Sequence, residues 1–349
     1  MIVDCQTHFT SIHFLRRIEG RREPPSAKWR DGTFWVTVGP GLELPMGESM
    51  MDEGEKLREM DAHGVDISLL STNIPGPERF EGSLGIELAQ REHDELSTLT
   101  RRYPHRFRAV ASLPLASPQE ALRELDRAVG QLHLSGVQLF SNNRGRPLDS
   151  PDLFPLYGRM EELGVPVFLH PTYPVAGEAM AEYQLIQVLG FLLDTSLAMA
   201  RLIFGGVMER FPRIPFVLPH LGSIFPYVMA RIDTSSGNIP GSRERLTKPP
   251  SEYFREVYLD TVSLHPPALS LACEFQGTDK ILFASDRPWW SLKRAVESIR
   301  ELPLPARDKE RIFSENALRL LRIPLGDIQA PSIQSQAESL SRGGLYPSS

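Results

Sequence analysis

Five polar side chains stand at the ends of short apolar runs in this sequence. They are Gln6 and His8 after "IVDC", His170 closing "VPVFLH", His220 closing "IPFVLPH", and Asp286 closing "KILFASD". Imidazole and carboxylate groups are donors that suit Zn²⁺, Mn²⁺ or Fe²⁺. Brought together, they would hold one divalent ion and leave a histidine free to move protons. Gln6 and His8 are two residues apart, and alternate residues of a strand share a face, so both can point inward. Gln6 is the unusual member. Its amide oxygen is neutral, as an imidazole is, but it is a harder donor, which predicts weaker binding and a tilt from zinc towards Mn²⁺ or Mg²⁺. The alternative is that Gln6 only hydrogen-bonds a neighbour. A lone histidine in an apolar strand is more often a hydrogen-bonded core residue than a ligand. Joint placement at four strand ends is what points to a site. His13 and His265 lie in loops that could reach such a pocket. His63, His93, His105 and His133 fall in or near helical patterns and read as solvated.

The elements that must position these groups alternate along the chain. Apolar, β-branched runs occur at "IVDC", 65–71, 107–114, 135–140, 165–170, 214–220, 256–261 and 280–286, with helical patterns between them. Gly64 stops one helix, and the Ser117-Pro118 and Ser150-Pro151 pairs start two others. Eight such units predict an α/β fold, a closed (β/α)₈ TIM-type barrel, whose active-site residues come from the C-terminal ends of its strands. A doubly wound open sheet is the alternative, but no G-x-G-x-x-G follows the first strand. Residues 20–52 form an excursion after that strand, expected to be a small β insert over the barrel mouth. We expect one barrel domain over 1–325 and a Ser-, Gln- and Gly-rich tail over 326–349, mobile or packed on a partner.

Composition narrows the function classes. A hydrophobic share of 41%, a charged share of 23% and a net charge of −6 are those of an ordinary globular protein, with no basic footprint for nucleic acid or an anionic membrane. Cys5 and Cys273 make neither a disulfide framework nor a cysteine zinc motif, which fits a reducing cytoplasm. The N-terminus reads as a strand rather than a signal sequence, and the apolar stretches read as too short for a membrane span.

Beyond these patterns, "HGVDISLLS", "LGVPVFLHP", "GFLLDTSLAMARLIFGGVMERFP", "FVLPHLGSIFPYVMARID", "LFASDRPW" and "SENALRLL" occur in the order of a known family. Over about 300 residues the chain resembles the amidohydrolase-related family that includes aminocarboxymuconate semialdehyde decarboxylase and the nonoxidative aromatic acid decarboxylases. The resemblance implies that His8, His170 and Asp286 are metal ligands and that His220 is the acid/base beside them. Gln6 departs from the family's His-x-His or Glu-x-His pair. Residues 31–55 contain no Arg or Lys, whereas the aminocarboxymuconate branch has a carboxylate-binding Arg in this insert. Arg231 matches a family Arg that enters the neighbouring subunit's site, which implies a homodimer.

The expected enzyme is a carboxy-lyase: a metal-dependent nonoxidative decarboxylase of a small unsaturated or aromatic carboxylic acid. Its cofactor is one divalent ion, Zn first and Mn, Mg or Fe next. The ion would orient the carboxylate, and His220 or Asp286 would protonate the carbon beside it. Arg231 would stabilise negative charge. Trp289 and Trp290 would wall a planar substrate, although ordinary packing explains them as well, as it does Trp29 and Trp35. Two rivals share the frame. A hydrolase or hydratase would use the same atoms to activate water against an ester, lactone or amide. A metal-free, repurposed barrel would merely bind a small acid.

Overall fold

The computed structural model describes residues 1–324, so the expected tail at 326–349 lies outside the described residues. The chain begins with β1 (Val3–Phe9), every residue of which is buried. Next come three short strands, β2 (Ser26–Arg30), β3 (Thr33–Gly39) and β4 (Leu42–Met46), paired antiparallel in that order. The remaining strands are β5 (Ile67–Thr72), β6 (Phe107–Ala109), β7 (Ala111–Ser112), β8 (Val137–Phe140), β9 (Val167–His170), β10 (Phe216–Leu218), β11 (Tyr258–Asp260) and β12 (Ile281–Leu282). All of these pairings are parallel, running β1-β5-β6 and β7-β8-β9-β10-β11-β12. β6 and β7 are one strand interrupted at Val110, whose N–H still reaches Leu70 O at 3.0 Å.

The ring closes between its first and last strands. Cys5 N donates to Phe283 O at 2.9 Å, Asp286 N to Gln6 O at 2.9 Å and His8 N to Arg287 O at 2.8 Å. Eight parallel strands, buried on both faces and separated by helices, make the (β/α)₈ barrel that the apolar runs predicted. The regular strands are shorter than those runs. β10, for example, spans three residues where seven were expected, because the flanking residues turn out of the ladder.

Helix ends follow local chemistry. Asp52 accepts from Gly54 N and Glu55 N to start Glu53–His63, and Gly64 ends it at φ 72°, a left-handed position that favours glycine. Ser117 precedes Pro118–Leu125 as expected, but its side chain makes no cap hydrogen bond. Ile186–Phe204 corrects the expectation about apolar length. At 19 residues and mean hydropathy 1.5 it is long and apolar enough to span a membrane, with half of that stretch buried inside the fold. Its apolarity has a local cause: one side packs on the barrel through Met199, Leu202 and Ile203, and Phe191 and Leu192 line the central cavity.

The insert is the small β sheet expected over 20–52. β3 and β4 alternate buried with more accessible residues, and the buried set, including Phe34, Val36 and Leu44, packs on Ile74, Phe140 and Ile186 of the main fold. Leu44 reaches the cavity at the barrel mouth.

Candidate metal centre

His8 and Gln6 sit near the end of β1, His170 ends β9, His220 follows β10 and Asp286 follows β12. The strand ends therefore converge as their spacing suggested. Ligand atoms of His8, His170 and Asp286, all buried, lie within 4.8 Å of one another. His8 Nε2 is 2.8 Å from Asp286 Oδ1 and 3.3 Å from His170 Nε2, and the two imidazoles meet edge to face at 86°. Each ring is held from behind. His170 Nδ1–H donates to Pro171 O at 2.7 Å, which leaves the Nε2 lone pair facing the cluster. His8 Nδ1 is 3.3 Å from Ser71 Oγ, at the end of β5. Two imidazoles and one carboxylate, with room beyond them, form the donor set of a catalytic rather than a structural divalent-metal site.

Gln6 belongs to the same group. Its Nε2 donates to Asp286 Oδ1 at 3.3 Å. In this orientation the NH₂ faces the carboxylate, so ligation through Oε1 requires the amide to turn over.

The electrostatics prepare neutral imidazoles beside a charged carboxylate. Burial, and then the neighbouring His8, push His170 down to about 3, and burial lowers His220 as well. Burial alone would raise Asp286, but the hydrogen bond and charge of His8, with the other histidines, hold it below the usual carboxylate range. His220 has a distinctive backbone. It and Leu221 lie at φ 57°, and Asp286 at φ 57° as well, in the sparsely populated left-handed region that non-glycine residues adopt where surrounding structure compels it. Asp260 does so for His220, accepting from His220 N at 2.7 Å and Val262 N at 3.0 Å. Burial pushes Asp260 up to about 7. The imidazole of His220 lines the cavity, and its Nδ1 is shut off from solvent with no partner among the described residues.

Three comparisons bear on this arrangement. The sequence model of the amidohydrolase family matches residues 3–323. The chain belongs to that family. Gamma-resorcylate decarboxylase from Rhizobium radiobacter is 32% identical over 287 residues, covering 77% of this chain and 86% of its own. 2-Amino-3-carboxymuconate-6-semialdehyde decarboxylase from Dictyostelium discoideum is 31% identical over 278 residues, covering 77% and 76%. Among solved structures, 5-carboxyvanillate decarboxylase from Sphingomonas paucimobilis superposes with a TM-score of 0.84 at 28% identity, covering 93% of this chain and 99% of that one. The chain is thus an amidohydrolase-superfamily enzyme, and these three relatives are decarboxylases, while a 2-keto-4-carboxy-3-hexenedioate hydratase from Sphingobium sp. matches at 26% identity over 300 residues.

Within this amidohydrolase frame the expected residues sort clearly. His8, His170, His220 and Asp286 share one cavity with Trp289, Trp290 and His265. Arg231 is exposed and absent from the cavity lining of its own chain. It stands one helical turn beyond Tyr227, which lines the mouth. His13 is exposed on the surface. Trp29 and Trp35 pack in the insert beneath Arg16 and Arg30. His93 corrects the expectation that it is solvated: it is fully buried, paired through Nδ1 with Glu124 at 2.5 Å and accepting from Ser112 N at 3.0 Å.

Several supporting residues were not singled out from the sequence. Besides Asp260 and Ser71, Asp4 clips β1 to the loop after β12, accepting from Ser285 Oγ at 2.5 Å and Ser285 N at 2.9 Å. Lys56 reaches from its helix to donate to His8 O at 2.5 Å, and burial pulls it down to about 7. Asp4 and Asp260 both lie in strand runs, and a carboxylate inside an apolar strand was the available signal for them.

Proposed function

We propose that this protein is a metal-dependent, nonoxidative decarboxylase of a small unsaturated or aromatic carboxylic acid. The observation that carries the reading is the buried His8–His170–Asp286 cluster, opening with His220 onto a cavity of otherwise mostly apolar lining. A bound divalent ion supplies positive charge that orients the substrate carboxylate and stabilises the electron density developing near it. The protein's own groups do the rest. His8 and His170, held by Ser71 and Pro171 O, present ring nitrogens as ligands. His220 or Asp286, once it has taken up a proton from solvent, delivers it to the carbon that bears the carboxylate. The C–C bonding pair then returns to the substrate's π system as carbon dioxide leaves, so the net change is one proton gained and one carbon dioxide lost. Trp289 provides a flat wall for a planar substrate. Zinc is our first assignment and manganese, magnesium or iron the alternatives, with Gln6 tilting the site towards manganese or magnesium if its oxygen turned inward.

A homodimer completes the reading, with Arg231 of each copy entering the other's cavity to meet the substrate's negative charge. The exposed position of Arg231 beside the mouth supports that role. Both cysteines are buried and free, which fits a cytoplasmic enzyme. The test is carbon dioxide release from a panel of hydroxybenzoic and unsaturated acids by protein loaded with zinc or manganese, with gel filtration to fix the oligomer. Release that depends on the ion and is lost in His220→Ala and Asp286→Ala supports the reading. Hydrolysis of esters or lactones without carbon dioxide release would replace it with the hydrolase reading.

A further inference from the structure

Apart from His265, the imidazole and carboxylate groups that line the cavity gather at one end. Its floor carries His8, His170, Asp286 and His220, the first three almost wholly buried. Above them the wall is apolar, with Leu44, Phe191, Leu192 and Leu271 prominent, and Trp290 and Tyr227 stand exposed at the rim. Among the described residues that line it there is neither Lys nor Arg. The two buried cations among the described residues are engaged elsewhere, Lys56 with His8 O and Arg287 with Glu59 and Glu55. At about 750 Å³ the space is large. It falls in the range, about 300–1,000 Å³, of sites that enclose drug-sized ligands rather than a bare ring.

These facts constrain what stands away from the floor. With Arg231 of the second copy committed to the reacting carboxylate, a second carboxylate there would leave water for a wall on which this chain offers neither Lys nor Arg, an unfavourable transfer that neutralisation or exclusion would avoid. An alkyl or aryl group in the same place gains roughly fourfold in binding for each methylene it buries. Polar side chains interrupt the wall at Asn73, Gln187, Ser223, Ser263 and His265. Gln187 lines the cavity, and its Oε1 is shut off from solvent with no partner among the described residues, so it would accept from a hydroxyl or N–H on the ligand.

We propose that the substrate is a monocarboxylic acid with an apolar extension, the carboxylate lying at the metal floor and the extension running between Leu192 and Leu271 towards Trp290. The inference rests on the decarboxylase reading and narrows it. It excludes, as good substrates, diacids whose second carboxylate points up the cavity.

The test uses 2-hydroxybenzoic acids carrying, at one ring position, either alkyl chains of increasing length or a carboxylate. Carbon dioxide release by the metal-loaded full chain is measured beside calorimetric binding of the matching unreactive nitro compounds. We expect kcat/KM and affinity to climb roughly fourfold per methylene until the cavity is filled. The diacid should fall at least about tenfold below the unsubstituted acid. Leu271→Arg, at a half-exposed site that tolerates the change, should reverse the order by weakening the alkyl series and strengthening the diacid. A flat alkyl series, or a diacid handled as well as the parent acid, overturns the inference and leaves decarboxylation standing. Binding that follows the alkyl series while no acid releases carbon dioxide retains the subsite and overturns the decarboxylase reading instead.

Discussion

Asp260→Ala probes how the fold holds His220. The carboxylate accepts two buried backbone N–H groups, His220 at 2.7 Å and Val262 at 3.0 Å. Removing it leaves both donors orphaned, at about 1–3 kcal/mol each. Part of that loss is returned, because burial already disfavours the ionised acid and has pushed it up to about 7. His220 and Leu221 occupy the left-handed region at φ 57°, and that strain persists only while the surroundings enforce it. We therefore expect the Ala variant to lose about 3 kcal/mol in urea unfolding. In turnover it should lose kcat more than KM, because the imidazole drifts while the floor still binds. Asp260→Asn keeps an oxygen for the same N–H groups and should restore most of both. An Ala variant within about 0.5 kcal/mol of the parent and fully active would refute the argument, since that is the range of an inconsequential surface change.

Three further outcomes follow from the structure. Ser71→Ala removes the group behind His8 Nδ1 and should weaken metal affinity about 10–100-fold in chelator competition, with little change in unfolding. In Gly76→Ala the new Cβ would lie 2.0 Å from the Phe140 ring, which itself stands edge-on to His170. Forcing it in should cost about 1–3 kcal/mol and disturb metal binding; a neutral result in both assays would show that Phe140 yields freely. Glu92 is buried against Thr72, and burial raises its carboxyl from 4.5 to about 8. Between those values the folded chain keeps a proton that the unfolded chain sheds, so stability falls as pH rises, by at most about 1.4 kcal/mol per unit from this group. Glu92→Gln should flatten that part of the stability profile, and an unchanged slope from pH 5 to 8 would contradict the assignment.

The barrel was legible because its strands are buried on both faces and so read as apolar runs, several of them ending where a side chain meets the cavity. His8, His170, His220 and Asp286 were visible for the same reason: they are the polar residues that interrupt such runs at one end. What holds them was not visible. Asp4 with Ser285, Asp260 with His220 and Lys56 with His8 are separated by 281, 40 and 48 positions, and no local pattern links them. Lys56 sits in a helix whose composition reads as solvent-exposed, yet it is almost wholly buried. His93 misleads in the same way, because its partners come from the next helix and from Ser112.

Elemental analysis of protein purified without chelator or added metal tests the central claim most directly, with His170→Ala and Asp286→Ala run beside it. The account predicts one divalent ion per chain in the parent and none retained by the two variants. A parent that carries no ion, and takes none up on reconstitution with zinc or manganese, would contradict it: the His8–His170–Asp286 cluster would then be a buried polar knot in a barrel with another chemistry.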